Sequence, residues 1–187
     1  DVSGHGHDAT IDGGSWVEDC PDGSTEVAET VGDTTSESGL LYTCSDCFAC
    51  PDEDWYIADK AFDDDHGTTS NSWHTSWDGS PEWVAVDFGA GNEKTIRHYG
   101  LMGAAFSASY CAQDWELQAS HDGLSWDTIH TVSGAALDYV MWGGEPFTYY
   151  SFSNETAYRH WRVYVTANMG GHELGIVEIE MMENLAR

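Results

Sequence analysis

The sequence predicts an all-β protein, folded as a β-sandwich or jelly roll. From about residue 55 onward, short runs of alternating apolar and polar residues recur between Gly, Asn or Asp turns. No run is long enough or regular enough at a period of 3.6 residues to predict a helix. Aromatic residues make up 13% of the chain, which is enough to build a packed core and is not typical of a disordered acidic protein. Six or more short strands at this spacing indicate a sandwich.

The strands are predicted where apolar side chains alternate, at residues 83–88, 115–120, 126–129, 147–152, 161–166 and 176–181. The second and third of these runs are separated by the sequence His-Asp-Gly-Leu at residues 121–124. An Asp-Gly corner favours a tight turn, so these two runs are predicted to form a hairpin.

Residues 1–54 have a different character from residues 55–187, and we expect an N-terminal segment followed by one domain. The segment is rich in Gly, Ser, Thr and Asp, and it holds four of the five cysteines. Residues 1–59 contain 15 acidic residues and no Lys or Arg. Apolar anchors are few, so the segment is predicted to be loop-rich.

The charge of the chain excludes several classes of partner. Six Lys and Arg residues stand against 33 Asp and Glu, which gives a formal net charge of -27. Such a field repels nucleic acids and anionic membranes. No apolar run approaches the roughly 20 residues that span a bilayer. Cations, neutral glycans and basic partners remain compatible with this charge. The start at Asp1, without Met, is consistent with a processed mature chain and equally with a trimmed sequence.

Four motifs in order resemble the coagulation factor 5/8 type C domain, also called the discoidin domain, which includes the family 32 carbohydrate-binding modules. The resemblance covers roughly residues 55–183 and is carried by residues 60–63 with Thr68, Trp73-His74-Thr75 and 83–89, then by 115–126, 152–162 and 176–180. It implies an eight-stranded, galactose-binding-like jelly roll. It also implies a non-catalytic binding module.

The run Asp63-Asp64-Asp65 followed by Thr68 is either a solvated acidic loop or part of a cation site. Three carboxylates this close repel one another unless a hard cation lies among their oxygens, and calcium takes six to eight oxygen ligands. Several members of the resembled family hold one structural calcium between this loop and the last strand. The resemblance implies these ligands: the backbone oxygens of Lys60 and Val177, and the side chains of Asp63, Asp65, Thr68 and Glu178, with Thr69 as an alternative to Thr68 because the loop is longer than usual.

A carbohydrate site is expected to combine aromatic rings with a few directional polar groups on loops. The candidate residues, each of which could instead be solvated or part of the core, are His74, Trp77, Trp142, Asn168 and His172. Galactose-binding relatives use an Arg from a loop in the middle of the domain. The stretch from His98 to Tyr158 contains no Lys or Arg, which counts against recognition of the galactose type.

The cysteines predict disulfide bonds, with a metal site as the alternative. The spacing of Cys44, Cys47 and Cys50 is C-x2-C-x2-C, which also occurs in zinc and iron–sulfur sites with a fourth thiolate such as Cys20 or Cys111. An acidic extracellular chain favours oxidation, and an odd count leaves one thiol free or paired with another chain. Asn154 begins an N-x-T sequon, a candidate glycosylation site.

Together these features predict an extracellular binding or adhesion module that recognises glycans or glycoproteins. The alternative is a structural subunit of an extracellular or viral assembly, such as a fibre, filament or capsid decoration. In that case the N-terminal segment would add a strand to a neighbouring chain or cross-link to it, which would make a homo-oligomer or a larger assembly. We expect no enzyme activity, because the chain has no Gly-rich phosphate loop, no G-x-S-x-G sequence and no H-E-x-x-H sequence.

Overall fold

The computed structural model describes residues 33–35, 37–47, 56–65, 71–79, 81–139 and 147–183. These residues form ten strands and two short 3₁₀ segments, Ala58–Ala61 and Ala108–Tyr110. The strands are β1 (Leu41–Cys44), β2 (Trp73–Ser76), β3 (Glu82–Asp87), β4 (His98–Met102), β5 (Ala112–Ser120), β6 (Asp127–Val132), β7 (Phe147–Ser151), β8 (His160–Asn168), β9 (Glu173–Ile176) and β10 (Glu178–Met182).

The strands build two main antiparallel sheets and one additional pair. The larger sheet has the order β1-β3-β8-β5-β6, the smaller has the order β10-β4-β7, and β2 pairs with β9. Eight strands therefore lie in the two main sheets, and the predicted jelly roll is confirmed. Among the described residues no helix is long and apolar enough to cross a membrane.

The core lies between the two main sheets and follows from strand alternation. In β8, the side chains of Trp161, Val163 and Val165 are fully buried, while Arg162 and Tyr164 point to the opposite face of the sheet. Strand β8 runs between β3 and β5, so its buried face lies at the centre of the larger sheet. The largest fully buried side chains include Trp73, Trp115, Trp161, Tyr99, Phe62, Leu101, Leu117 and Ile179.

The predicted β5–β6 hairpin is also confirmed. The Asp122 carboxylate accepts hydrogen bonds from the backbone N–H groups of Ser125 and Leu124, each at 2.8 Å. These bonds lower the pKa of Asp122 to about 2. Gly123 adopts a positive φ of 71°, a conformation that glycine accepts without strain. The turn is thus fixed by local hydrogen bonds, which explains why its sequence alone identified it.

Three strands were not predicted, and the expected last strand is divided into two. Strands β1, β2 and β4 are short or contain His and Gly, so their alternation is weak. The predicted run 176–181 crosses a corner at Val177, where the chain leaves β9 and enters β10. The Val177 N–H donates to the carbonyl of Met102, on β4. Alternation continues across this corner, so the sequence gives no sign that the pairing partner changes from β2 to β4.

The last part of the N-terminal segment packs on its own domain. Strand β1 pairs with β3, although it precedes the expected domain start at residue 55. Thr34 donates from its hydroxyl to the carbonyl of Met181 at 2.7 Å, and Thr35 donates in the same way to Ile179 at 3.0 Å. Residues 1–32 lie outside the described residues, so assembly through them stays a prediction.

Replacing Leu117 tests the core. Leu117 is 0% exposed, so Leu117→Ala removes buried methyl groups and leaves a cavity. We expect the free energy of unfolding to fall by about 3 kcal/mol in urea denaturation. Leu124→Ala is the matched control, because Leu124 is 85% exposed and should change stability by no more than about 0.5 kcal/mol. Equal losses in the two variants would contradict this packing.

Candidate functional site

A pocket with a volume of about 270 Å³ opens beside the β2–β9 pair. We call it the aromatic pocket, because most of its lining side chains are aromatic. It is lined by Tyr56, His74, Phe106, Tyr110 and Glu173. Strand β2 supplies His74, the start of β9 supplies Glu173, and the connection between β4 and β5 supplies the two rings of Phe106 and Tyr110.

The imidazole of His74 forms the centre of a cluster of rings. Its centroid lies 5.1 Å from the ring of Tyr56, 5.8 Å from Phe106 and 6.4 Å from Tyr110. The ring of Tyr110 also contacts His172, with centroids 5.4 Å apart. Phe106 is 48% exposed, so one large apolar ring stands at the mouth of the pocket. Exposed aromatic rings around a concave surface are typical of ligand-binding sites.

The burial of His74 fixes its charge. Only 2% of the residue is exposed, and this burial lowers the pKa of His74 to about 4. The imidazole is therefore neutral at pH 7. Its Nε2 atom has no hydrogen-bond partner among the described residues and lies against Gly175, where a Cβ atom would be 2.5 Å away. Only glycine at position 175 leaves room for this ring.

The predicted ligand residues divide into lining and supporting groups. His74 lines the aromatic pocket, and the exposed His172 lies beside it. Asn168 is buried, and its amide donates to the carbonyls of Gly171 and Glu173, so it holds the loop before β9 in place.

Trp77 also supports the site from outside the pocket. It packs partly buried against the core and donates its backbone N–H to the carbonyl of His172 at 3.0 Å. Trp142 lies outside the described residues.

Sequence reasoning missed four of the lining residues: Tyr56, Phe106, Tyr110 and Glu173. A signal was present for two of them. Phe106 and Tyr110 are bulky aromatic residues in the stretch 103–110, which otherwise consists of Gly, Ala and Ser. Large rings in such a stretch have few partners within it, and this is typical of a binding loop. Tyr56 and Glu173 carry no comparable signal.

A second candidate site is an acidic corner at the start of β10. Glu178 is 1% exposed, and its Oε2 atom has no hydrogen-bond partner among the described residues. Burial, together with the charges of Asp63 and Asp64, raises the pKa of Glu178 to about 9. The structure thus brings Glu178 close to the predicted loop. A buried, unpartnered carboxylate is unfavourable unless it is protonated or neutralised by a cation.

The loop of the acidic corner is ordered by internal contacts. Asp63 accepts from the Lys60 ammonium at 3.1 Å and from the Asn71 amide at 2.8 Å, and the Asp65 N–H also bonds to it. Within the described ranges, no three His, Cys, Asp or Glu side chains are grouped so that they could hold a metal ion by themselves. Oxygens of the backbone and of Thr68, which lies outside those ranges, would have to complete a calcium site.

The disulfide prediction is confirmed for two of the five cysteines. Cys44 and Cys47 form a disulfide, which excludes both sulfurs from a metal site. Cys111, also a disulfide candidate, is instead a buried free thiol whose sulfur accepts a hydrogen bond from the N–H of Ala104. Cys20 and Cys50 lie outside the described residues.

The glycosylation candidate Asn154 is 8% exposed. Its Nδ2 atom donates to the carbonyls of Ile96 and Thr156, at 3.1 and 2.9 Å. An amide nitrogen that is buried and hydrogen-bonded in this way cannot carry a glycan without opening the loop. The folded domain thus encloses this amide, and glycosylation of the sequon stays a prediction.

The neutrality of His74 predicts a pH dependence of stability. Below its ordinary pKa of 6.5 the unfolded chain binds a proton that the folded protein does not bind until about pH 4. The unfolded state is then favoured, so His74 makes the free energy of unfolding fall as the pH decreases from 6.5 toward 4, by up to about 1.4 kcal/mol per pH unit. Denaturation of the wild type and of His74→Gln from pH 7 to pH 5 measures this, and parallel pH profiles would contradict it.

Comparison with known proteins supports the fold and identifies the family. An F5/8 type C domain from Bacteroides fragilis superposes with a TM-score of 0.63 at 17% identity, covering 80% of this chain and 94% of that one. A family 32 carbohydrate-binding module from Clostridium perfringens, in complex with GalNAc-β-1,3-galactose, gives a TM-score of 0.57 at 16% identity over 76% and 94%.

A chitosan-binding module from a Paenibacillus species also gives a TM-score of 0.57, at 21% identity over 75% of this chain and 92% of that one. No curated protein matches the chain. The family model of the F5/8 type C domain matches residues 42–179. Because this match covers well over half of the chain, the protein belongs to the F5/8 type C domain family.

Proposed function

We propose that this protein is a non-catalytic, extracellular carbohydrate-binding module and that the aromatic pocket is its binding site. The observation that carries the proposal is the cluster of rings around His74, open to solvent at Phe106 and bordered by the Glu173 carboxylate. The similarity to modules that bind GalNAc-β-1,3-galactose and chitosan supports the same class of ligand. The disulfide between Cys44 and Cys47 supports an oxidising, extracellular location.

The pocket offers both kinds of contact that a sugar requires. The faces of Phe106 and Tyr110 can pack against the apolar C–H face of a pyranose ring. The hydroxyl of Tyr110 and the carboxylate of Glu173 can bond to sugar hydroxyls, which gives orientation and specificity. A volume of about 270 Å³ suits a single sugar unit, so the pocket would hold one residue of a longer glycan.

We further propose a structural calcium ion in the acidic corner. The residues present fit a calcium ion, because a buried carboxylate oxygen of Glu178 lacks a partner among the described residues and the charges of Asp63 and Asp64 act on it. The ion would supply a positive charge that neutralises these carboxylates. The residues that would hold it are Lys60 and Val177 through backbone oxygens, and Asp63, Asp65, Thr68 and Glu178 through side chains.

Tyr110→Ala tests the binding site. Removing the ring takes away one stacking surface, and we expect affinity for a bound glycan to fall at least tenfold, a loss of about 1.4 kcal/mol. A glycan array identifies the ligand, and isothermal titration calorimetry measures the affinity. Tyr139→Ala is the control, because Tyr139 is 40% exposed and lies outside the pocket. Binding that is equal in both variants would place the site elsewhere.

Chelation tests the calcium proposal. A ligand that binds only the folded state at a hundred times its dissociation constant stabilises that state by about 2.7 kcal/mol, so removing calcium should lower the melting temperature. Glu178→Gln should abolish this response to calcium. Glu180→Gln, a neighbour in the same strand whose carboxylate accepts from the Tyr149 hydroxyl, should keep it. A melting temperature of the wild type that is unchanged by chelation would refute the proposal.

A further inference from the structure

Among the described residues, no Lys or Arg pairs with the Glu173 carboxylate in the aromatic pocket. Its two ion-pair contacts are both with imidazoles, the Nδ1 atom of His74 and the Nε2 atom of His172, each at 3.6 Å. His74 is neutral at pH 7 because it is buried. His172 is 80% exposed, so a contact of that length with it is weak. The side chain of Glu173 is 21% exposed and can therefore be reached from the pocket.

In the described part of the chain, no Lys or Arg side chain contacts the Glu173 carboxylate. All five Lys and Arg residues of that part have partners elsewhere. These contacts are Lys60 with Asp63, Lys94 with Glu37, Arg97 with Glu155, Arg159 with Asp87, and Arg162 with Gln118 and the ring of Trp126. The aromatic pocket therefore holds a carboxylate without a Lys or Arg beside it in the described part of the chain, in a protein whose formal net charge is -27.

Aromatic rings strengthen the preference for a cation. The faces of Tyr56, Phe106 and Tyr110 carry the negative part of the ring quadrupole, and a cation within about 6 Å of a ring centroid is attracted to it. A carboxylate among such rings suits a positively charged group attached to an apolar body. The negative field of the whole protein would also attract a cationic polymer from a distance.

We propose that the aromatic pocket selects an amino sugar that carries a free amine, of the glucosamine type. Glu173 pairs with the ammonium group while the rings pack on the sugar. This inference rests on the proposed carbohydrate-binding function and narrows it to a cationic sugar. The size of the pocket, about 270 Å³, suits one such unit. N-acetylation would remove the charge and leave the carboxylate without its partner, so acetylated sugars should bind more weakly.

The test compares glucosamine oligomers with N-acetylglucosamine oligomers of the same length, by calorimetry at about pH 6, where the amine is protonated. We expect the free amine to bind at least tenfold more tightly, and to weaken as salt is added. Glu173→Gln should remove this tenfold preference, because the free amine loses its charged partner and so loses more affinity than the acetylated oligomer does. Glu155→Gln is the matched control, because it changes the same charge at a side chain that is 83% exposed and outside the pocket.

The outcomes separate this inference from the proposed function. Equal or tighter binding of the acetylated oligomer overturns the amino-sugar inference but leaves carbohydrate binding intact. If neither oligomer nor any arrayed glycan binds, the proposed function itself fails. A lysine-containing tripeptide that binds as tightly as the amino sugar would show that the pocket recognises any alkylammonium group, and would overturn the assignment to sugars. If circular dichroism shows that Glu173→Gln does not fold, the relative affinities of the two oligomers for the wild type still test the amino-sugar inference.

Discussion

The change of strand partner at Val177 positions both candidate sites. Before this residue, β9 pairs with β2 and places Glu173 beside His74 in the aromatic pocket. After it, β10 pairs with β4 and carries Glu178 into the acidic corner. The N–H of Val177 is held by the carbonyls of Met102 and Gly103, so the corner is part of the hydrogen-bonded framework. Glu173 and Glu178, five positions apart in the sequence, therefore connect the aromatic pocket with the acidic corner.

Each site contains a buried ionisable group that is disfavoured in its charged form. His74 meets this constraint by remaining neutral, since its surroundings are aromatic rings. Glu178 is buried and subject to the charges of Asp63 and Asp64, so it must stay protonated or be neutralised by a cation. Desolvation therefore acts on both groups. It keeps the imidazole of His74 in the aromatic pocket neutral, and it disfavours the ionised form of Glu178 in the acidic corner unless a cation is bound.

The described end of the N-terminal segment, residues 33–35 and 37–44, packs close to the acidic corner. The ring of Tyr42 stacks on Phe62 with centroids 5.0 Å apart, and its hydroxyl donates to the carbonyl of Thr35. Burial and the nearby charge of Asp33 raise the pKa of Tyr42 to about 12. Asp33 also accepts from the N–H of Met181 at the end of β10. The described end of the N-terminal segment is therefore part of the domain, and its Asp33 carboxylate adds negative charge near the acidic corner.

The features that depend on neighbouring residues could be predicted from the amino-acid sequence: the alternation of β8, the Asp122 turn, the acidic loop and the net charge. Which distant residues meet depends instead on how the strands pair and pack. Tyr56 and Glu173 are far apart in sequence and carry no local signal, and they share a pocket only because β9 pairs with β2. Burial is likewise a property of the packed fold, and this explains why Asn154 matched a sequon yet proved to be enclosed.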